Sequence, residues 1–195
     1  MTRRAGRTST RAGDTAADLK ELYGRKAGVI AKRPALGRGG GYVRVRLRDG
    51  LACQVEFAGG TAIVDLSPDD GGTGAGPAPD ELARASLAAA LAQSYRLWAA
   101  RLDVPLNEIE VEVVSEHDAR GRLGVSDEVA VGWQSLHVAV TAFTHAPEED
   151  VRSMVALANR RSPLLANLSP AVAQTHGLTV VRPGPGKGTN PSSRG

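Results

Sequence analysis

The chain has 195 residues, 42% hydrophobic and 23% charged, enough for one well-buried globular domain with length to spare. No run approaches about 18 apolar residues, which excludes a membrane-spanning helix. No apolar stretch follows the positive charges of MTRRAGRTSTRAG, so no secretory signal is expected. The net charge of +3 is unevenly spread: residues 1–38 carry ten Lys/Arg against three Asp/Glu, residues 182–195 add three positive charges, and residues 39–181 hold eleven basic against eighteen acidic side chains.

These shifts divide the chain into a basic, largely flexible arm with a short helix (1–38), a folded domain (39–181) and a disordered Gly/Pro/Ser tail (182–195). In the arm, Leu19, Leu22 and Tyr23 stand at helical spacing and Gly24 follows, which predicts a short helix packed on the domain or on a partner. From Gly41 the period becomes two. Val43, Val45 and Leu47 share one face and Arg44, Arg46 and Arg48 the other, and Asp49-Gly50 signals a two-residue hairpin turn. LACQVEF returns with Leu51, Cys53, Val55 and Phe57 on one face, Gly59-Gly60 turns again, and TAIVDL completes a three-stranded meander.

SPDDGGTGAGPAP (67–79) reads as a loop, and Pro79, Asp80 and Glu81 have the chemistry of a helix's first turn. That helix runs to about Arg101, where LDVP stops it. Its middle, SLAAALAQSYRLW, sets a bulky stripe of Leu87, Leu91, Tyr95 and Trp98 opposite a stripe of Ala85, Ala88, Ala89, Ala92 and Ala99. A helix apolar or tiny on nearly every side is surrounded by protein, and a domain this small needs a second subunit to supply part of the cover. NEIEVEVV follows as a strand with Ile109, Val111 and Val113 inward. A glycine-containing link leads to the strand WQSLHVAVTAF, and Ala146-Pro147 opens a helix with Val151, Met154, Val155 and Ala158 on one stripe. Ser162-Pro163 starts a short turn, and LTVV (178–181) is a last strand. Strands, a helix, strands, a helix and a strand make an α+β domain.

GGTGAGPAPDELARASLAAALAQSYRLWAARLDVPLNEIEVEV resembles the central segment of the OsmC/Ohr family, the osmotically inducible and organic hydroperoxide resistance proteins. DARGRLGV, WQSLHVAV and ANRRSPLLANL continue the likeness in order over roughly residues 41–181. The resemblance implies antiparallel sheets packed around a buried central helix in an intertwined homodimer. It also implies thiol peroxidase chemistry. A cysteine on the central helix is oxidised by a hydroperoxide and then resolved by a second cysteine, with an acidic residue at the helix head and an arginine keeping the first thiol ionised.

Carried onto this sequence, the acidic position is Asp80, the peroxidatic position is Ala90 and the resolving position is Ser162, before Pro163. A methyl group at 90 has no nucleophile, so the peroxidase mechanism is not expected. The arginine partner has no motif to place it, and Arg44, Arg46 and Arg48 are candidates. The family's hydroperoxide pocket would be lined by Ala90, Ser94, Ser162 and Pro163, able to accept a small apolar ligand.

Other chemistry-bearing residues have plainer readings. Cys53 alternates with inward residues and is expected in the core rather than as a relocated thiol. Asp80 suits the helix dipole. Ser162 with Pro163 suits an N-cap better than a nucleophile using His145 or His176 as base. His117, His137, His145 and His176 lack metal-ligand spacing, so neither metal nor cofactor is expected. The arm has no interleaved aromatics, so a solvated segment docking on its own acidic body is favoured over nucleic-acid binding. The expected setting is cytoplasmic, with one cysteine and no disulfide.

Overall fold

The computed structural model describes residues 15–168; the strand expected at 178–181, His176 and the tail lie outside the described residues. The element order is α1 (Ala16–Lys32), β1 (Arg44–Leu47), β2 (Cys53–Phe57), β3 (Gly60–Val64), α2 (Pro79–Arg101), β4 (Glu108–Glu116), α3 (Ala119–Arg122), β5 (Ser135–Phe143), α4 (Glu148–Arg160) and α5 (Pro163–Asn167). Strands β1–β2–β3 form one antiparallel sheet and β4–β5 a second. This is the α+β architecture expected, arranged about α2.

The core is one stripe of α2 pressed between a sheet and a helix. Leu87, Leu91, Tyr95 and Ala99 meet Met154 and Ala158 of α4, with Leu106 beside them. The inward residues of the second sheet, Ile109, Val111 and Val113 with Val138, Val140 and Ala142, pack against this group. Their glutamate neighbours on β4 face out, as period-two alternation requires. Tyr95 is fully buried, and its hydroxyl donates to Asn159 Oδ1 at 2.7 Å. Burial pushes the phenol's pKa up, partly offset by that hydrogen bond. Trp98 is half-buried rather than part of the sealed stripe, and Ala99, expected on the alanine face, is in the core instead.

Three local features differ from expectation. First, α1 does not end at Gly24 but runs 17 residues through Gly24 and Gly28. Each glycine costs a helix roughly 1 kcal/mol, which is offset by the Thr15 N-cap on Asp18 N–H, the Arg25–Glu21 pair and packing against α2. Second, Leu47 pairs with Cys53, so the first hairpin has a five-residue loop, Arg48–Ala52, rather than the two-residue turn at Asp49-Gly50. Only Gly50 of that dipeptide takes positive φ, at 73°, and a type I′ turn needs both. Third, Cys53 is half-buried, not a core residue. Its sheet keeps Val55 and Val64 buried, but Val45 and Leu47 on the same face are each 53% exposed, because no helix among the described residues packs on β1.

The loop between β3 and α2 is organised by Asp65, which is 2% exposed. Its carboxylate accepts hydrogen bonds from Leu66 N–H (2.8 Å), Thr73 N–H (2.9 Å), Thr73 Oγ1–H (2.7 Å) and Ala75 N–H (3.2 Å). The glycines let the backbone pass close to itself. A Cβ at Gly72 would lie 2.1 Å from the Leu66 carbonyl oxygen, and one at Gly76 would lie 2.1 Å from that of Ile63. These bonds, Thr73's first, lower the Asp65 pKa from 3.8 to about 2. A carboxyl group with a depressed folded pKa stabilises the fold above its unfolded pKa, and that contribution fades as pH falls from about 4 towards 2. Asp65→Asn should therefore lower the urea midpoint at pH 7, with the gap from the parent closing between pH 4 and 2. A gap that stays constant with pH would contradict this role.

Candidate functional site

Helix α2 carries both of the sequence-predicted positions that fall on a helix, Asp80 and Ala90, and they line different hollows. Asp80 and Ala90 are ten residues apart, about 15 Å along the axis at 1.5 Å per residue. Pro79 opens the helix at N1, and Glu81 reaches back to accept from Ala78 N–H at 3.0 Å. Asp80 accepts from Arg84 at 2.8 Å, and Arg84 also donates to Ser115 Oγ at 3.2 Å. The Arg84 hydrogen bond holds the Asp80 carboxyl below the usual carboxylate range. Asp80 lines a cavity of about 680 Å³ at the helix head, shared with His117, Arg122 and Trp133. An acid that pairs within its own helix does what the dipole reading requires of it.

Ala90 faces a second, smaller hollow of about 320 Å³, and Ser94, Pro163 and Arg161 line it as well. Three of the four residues expected to line the family's pocket thus meet in one place. Ser162 does not line it. It is 5% exposed, and its Oγ accepts from Leu165 N–H at 3.3 Å as the N-cap of α5, with Pro163 at N1. His145 is exposed on the segment before α4.

Arg44 and Arg46 lie on the exposed β1, where Arg46 pairs with Glu56, and none of the three candidate arginines lines the hollow. Arg101 and Arg161 are the arginines that do, together with Tyr23 of α1 and Trp98. The Arg101 guanidinium lies 4.4 Å from the Trp98 ring centroid, stacked as a cation on the π face. Sequence reading missed these residues because α1, α2 and the end of α4 meet only in three dimensions. No local signal marked them: Tyr23 stands between Leu22 and Gly24, and Trp98 between Leu97 and Ala99. Cys53 lies on β2, outside both hollows, and its Sγ donates to Leu51 O at 3.7 Å. No group of three or more His, Cys, Asp or Glu side chains among the described residues could hold a metal ion. No described helix is long and apolar enough to cross a membrane.

A central helix clamped between a sheet and a second helix, headed by a glycine-rich loop, defines an OsmC-type fold. The family model for OsmC-like proteins matches residues 72–176, more than half of the chain, and the chain belongs to that family. Solved structures agree on the fold. An OsmC-like protein from Mycoplasma pneumoniae is 14% identical, with 68% of this chain and 89% of that one covered and a TM-score of 0.60. A putative osmotic stress induced and detoxification response protein from Psychrobacter arcticus is 18% identical, covering 68% and 91%, with a TM-score of 0.54. An organic hydroperoxide resistance protein from Legionella pneumophila is 19% identical, covering 68% and 93%, with a TM-score of 0.51. No curated protein matches the chain.

Proposed function

We propose that this protein keeps the OsmC-like fold as a homodimeric binding module without thiol peroxidase chemistry. The observation that carries the reading is a methyl group at position 90, in a hollow the fold still provides. Peroxide reduction by a thiol needs a sulfur that takes the peroxide oxygen and is then reduced again. Neither Ala90 nor Ser162 supplies one, and Ser162 Oγ is occupied in capping. The chain should therefore turn over no organic hydroperoxide with a dithiol reductant above the uncatalysed rate. Turnover that persists in Cys53→Ser would overturn the reading; turnover abolished by that change would move the chemistry to Cys53.

The dimer is supported by what one chain leaves uncovered. Ala85, Ala89 and Gln93 of α2 are exposed on the side away from the core, and Val43, Val45 and Leu47 of the meander are open to solvent. A helix this poor in polar side chains and an apolar sheet face both call for cover. Light scattering should give twice the chain mass, and Ala89→Arg should shift it towards the monomer by placing a charge in a close helix contact. A monomeric parent protein across the micromolar range would end this part of the proposal.

A further inference from the structure

The hollow beside Ala90 has a charge that its family position does not account for. Arg101 and Arg161 both open onto it, and no carboxylate among the described residues lines it. Neither arginine has an acidic partner among the described residues. Trp98 and Tyr23 supply flat apolar surface, and Gln93 and Ser94 supply hydrogen-bonding groups. Tyr23 comes from α1, which lies ahead of the residues matched by the family model. Helix α1 is held on the body by its packing against α2 and by the Lys20–Asp103 ion pair. A third cation, Lys26, sits 5.9 Å from the Tyr23 ring centroid.

Two guanidinium groups without an acidic partner among the described residues, both opening onto one concave space, favour an anion there, and each is a bidentate partner for a carboxylate. Aromatic rings beside them favour a flat apolar body on the same ligand. The volume of about 320 Å³ falls at the small end of ligand sites. We propose that this hollow binds a small aromatic carboxylate, its acid group paired with Arg101 and Arg161 and its ring packed against Trp98 and Tyr23. The assignment rests on the hollow being a binding site, as proposed above, and adds the charge of the ligand and the part played by α1.

The test uses the full chain with 2-naphthoate and its uncharged analogue 2-naphthamide, followed by ligand-observed NMR and calorimetry. Naphthoate should bind about tenfold or more tightly than the amide, with an affinity that falls as salt rises. Arg161→Gln should remove most of that preference, weakening naphthoate far more than the amide. Tyr23→Ala should weaken both ligands, with far-ultraviolet circular dichroism confirming that the helices persist. Equal affinity for acid and amide, or an Arg161→Gln variant with undiminished preference, would overturn the anion assignment and leave an apolar binding site. If neither compound binds the folded parent, the binding-module reading falls with it.

Discussion

Leu91→Ala should lower the unfolding free energy by about 2–5 kcal/mol, because it empties a fully buried position at the centre of the core. Leu91 sits on the stripe of α2 that meets Met154 and Ala158 of α4 and the inward face of the second sheet, so several elements lose contact together. A domain of this size unfolds with a total stability of only about 5–15 kcal/mol, so the loss should be plain in a urea titration. Tyr95→Phe gives the contrast. It keeps the ring and removes only the hydroxyl that donates to Asn159, an exchange worth about 0.5–1.5 kcal/mol. If Leu91→Ala cost no more than Tyr95→Phe, the core would not be centred on α2 as described.

Ala90→Cys should create a thiol that reacts with organic hydroperoxide at least about tenfold faster than Cys53 does in the parent protein. The position faces the hollow onto which Arg101 and Arg161 open, and nearby cations favour the thiolate, which is the reactive form. Cys53 lies on a strand away from both hollows. Mass spectrometry of the sulfenic adduct in an Ala90→Cys/Cys53→Ser background reads position 90 alone, against the parent chain for Cys53. Rates that match would mean that the hollow does not activate a thiol at 90. The proposed absence of peroxidase chemistry would then involve the surroundings as well as the residue. A fast Ala90→Cys thiol would put the difference in one side chain.

Much of this fold could be read along the chain because its signals are local. Pro79 with Asp80 and Glu81 marks the start of α2, and Leu102 to Pro105 marks its end, since caps and breakers act within a few residues. Period-two alternation located β4, and the stripe of Met154 and Ala158 located the buried face of α4. The spacing of the glycine-rich loop, the helix and the following strand was enough to bring out the family likeness.

Where local signals compete with packing, the chain alone misleads. Gly24 reads as a helix end, yet α1 continues because its contacts with α2 outweigh the local cost of glycine. Asp49-Gly50 reads as a tight turn, yet strand register sets a five-residue loop. Cys53 reads as a core residue, yet covering its sheet depends on what lies above β1, which no period encodes.

The amino-acid sequence by itself determined the α+β class, the central helix and the absence of a nucleophile at position 90, all of which depend on residue type and short-range spacing. Asp65 as the anchor of the glycine loop, and the meeting of Tyr23, Trp98, Arg101 and Arg161 around Ala90, appear only when the chain is folded. The physical reason is distance along the chain. A carboxylate gathering amides 8 and 10 residues on, or a hollow built from three helices, is a long-range arrangement that packing selects and no local pattern records.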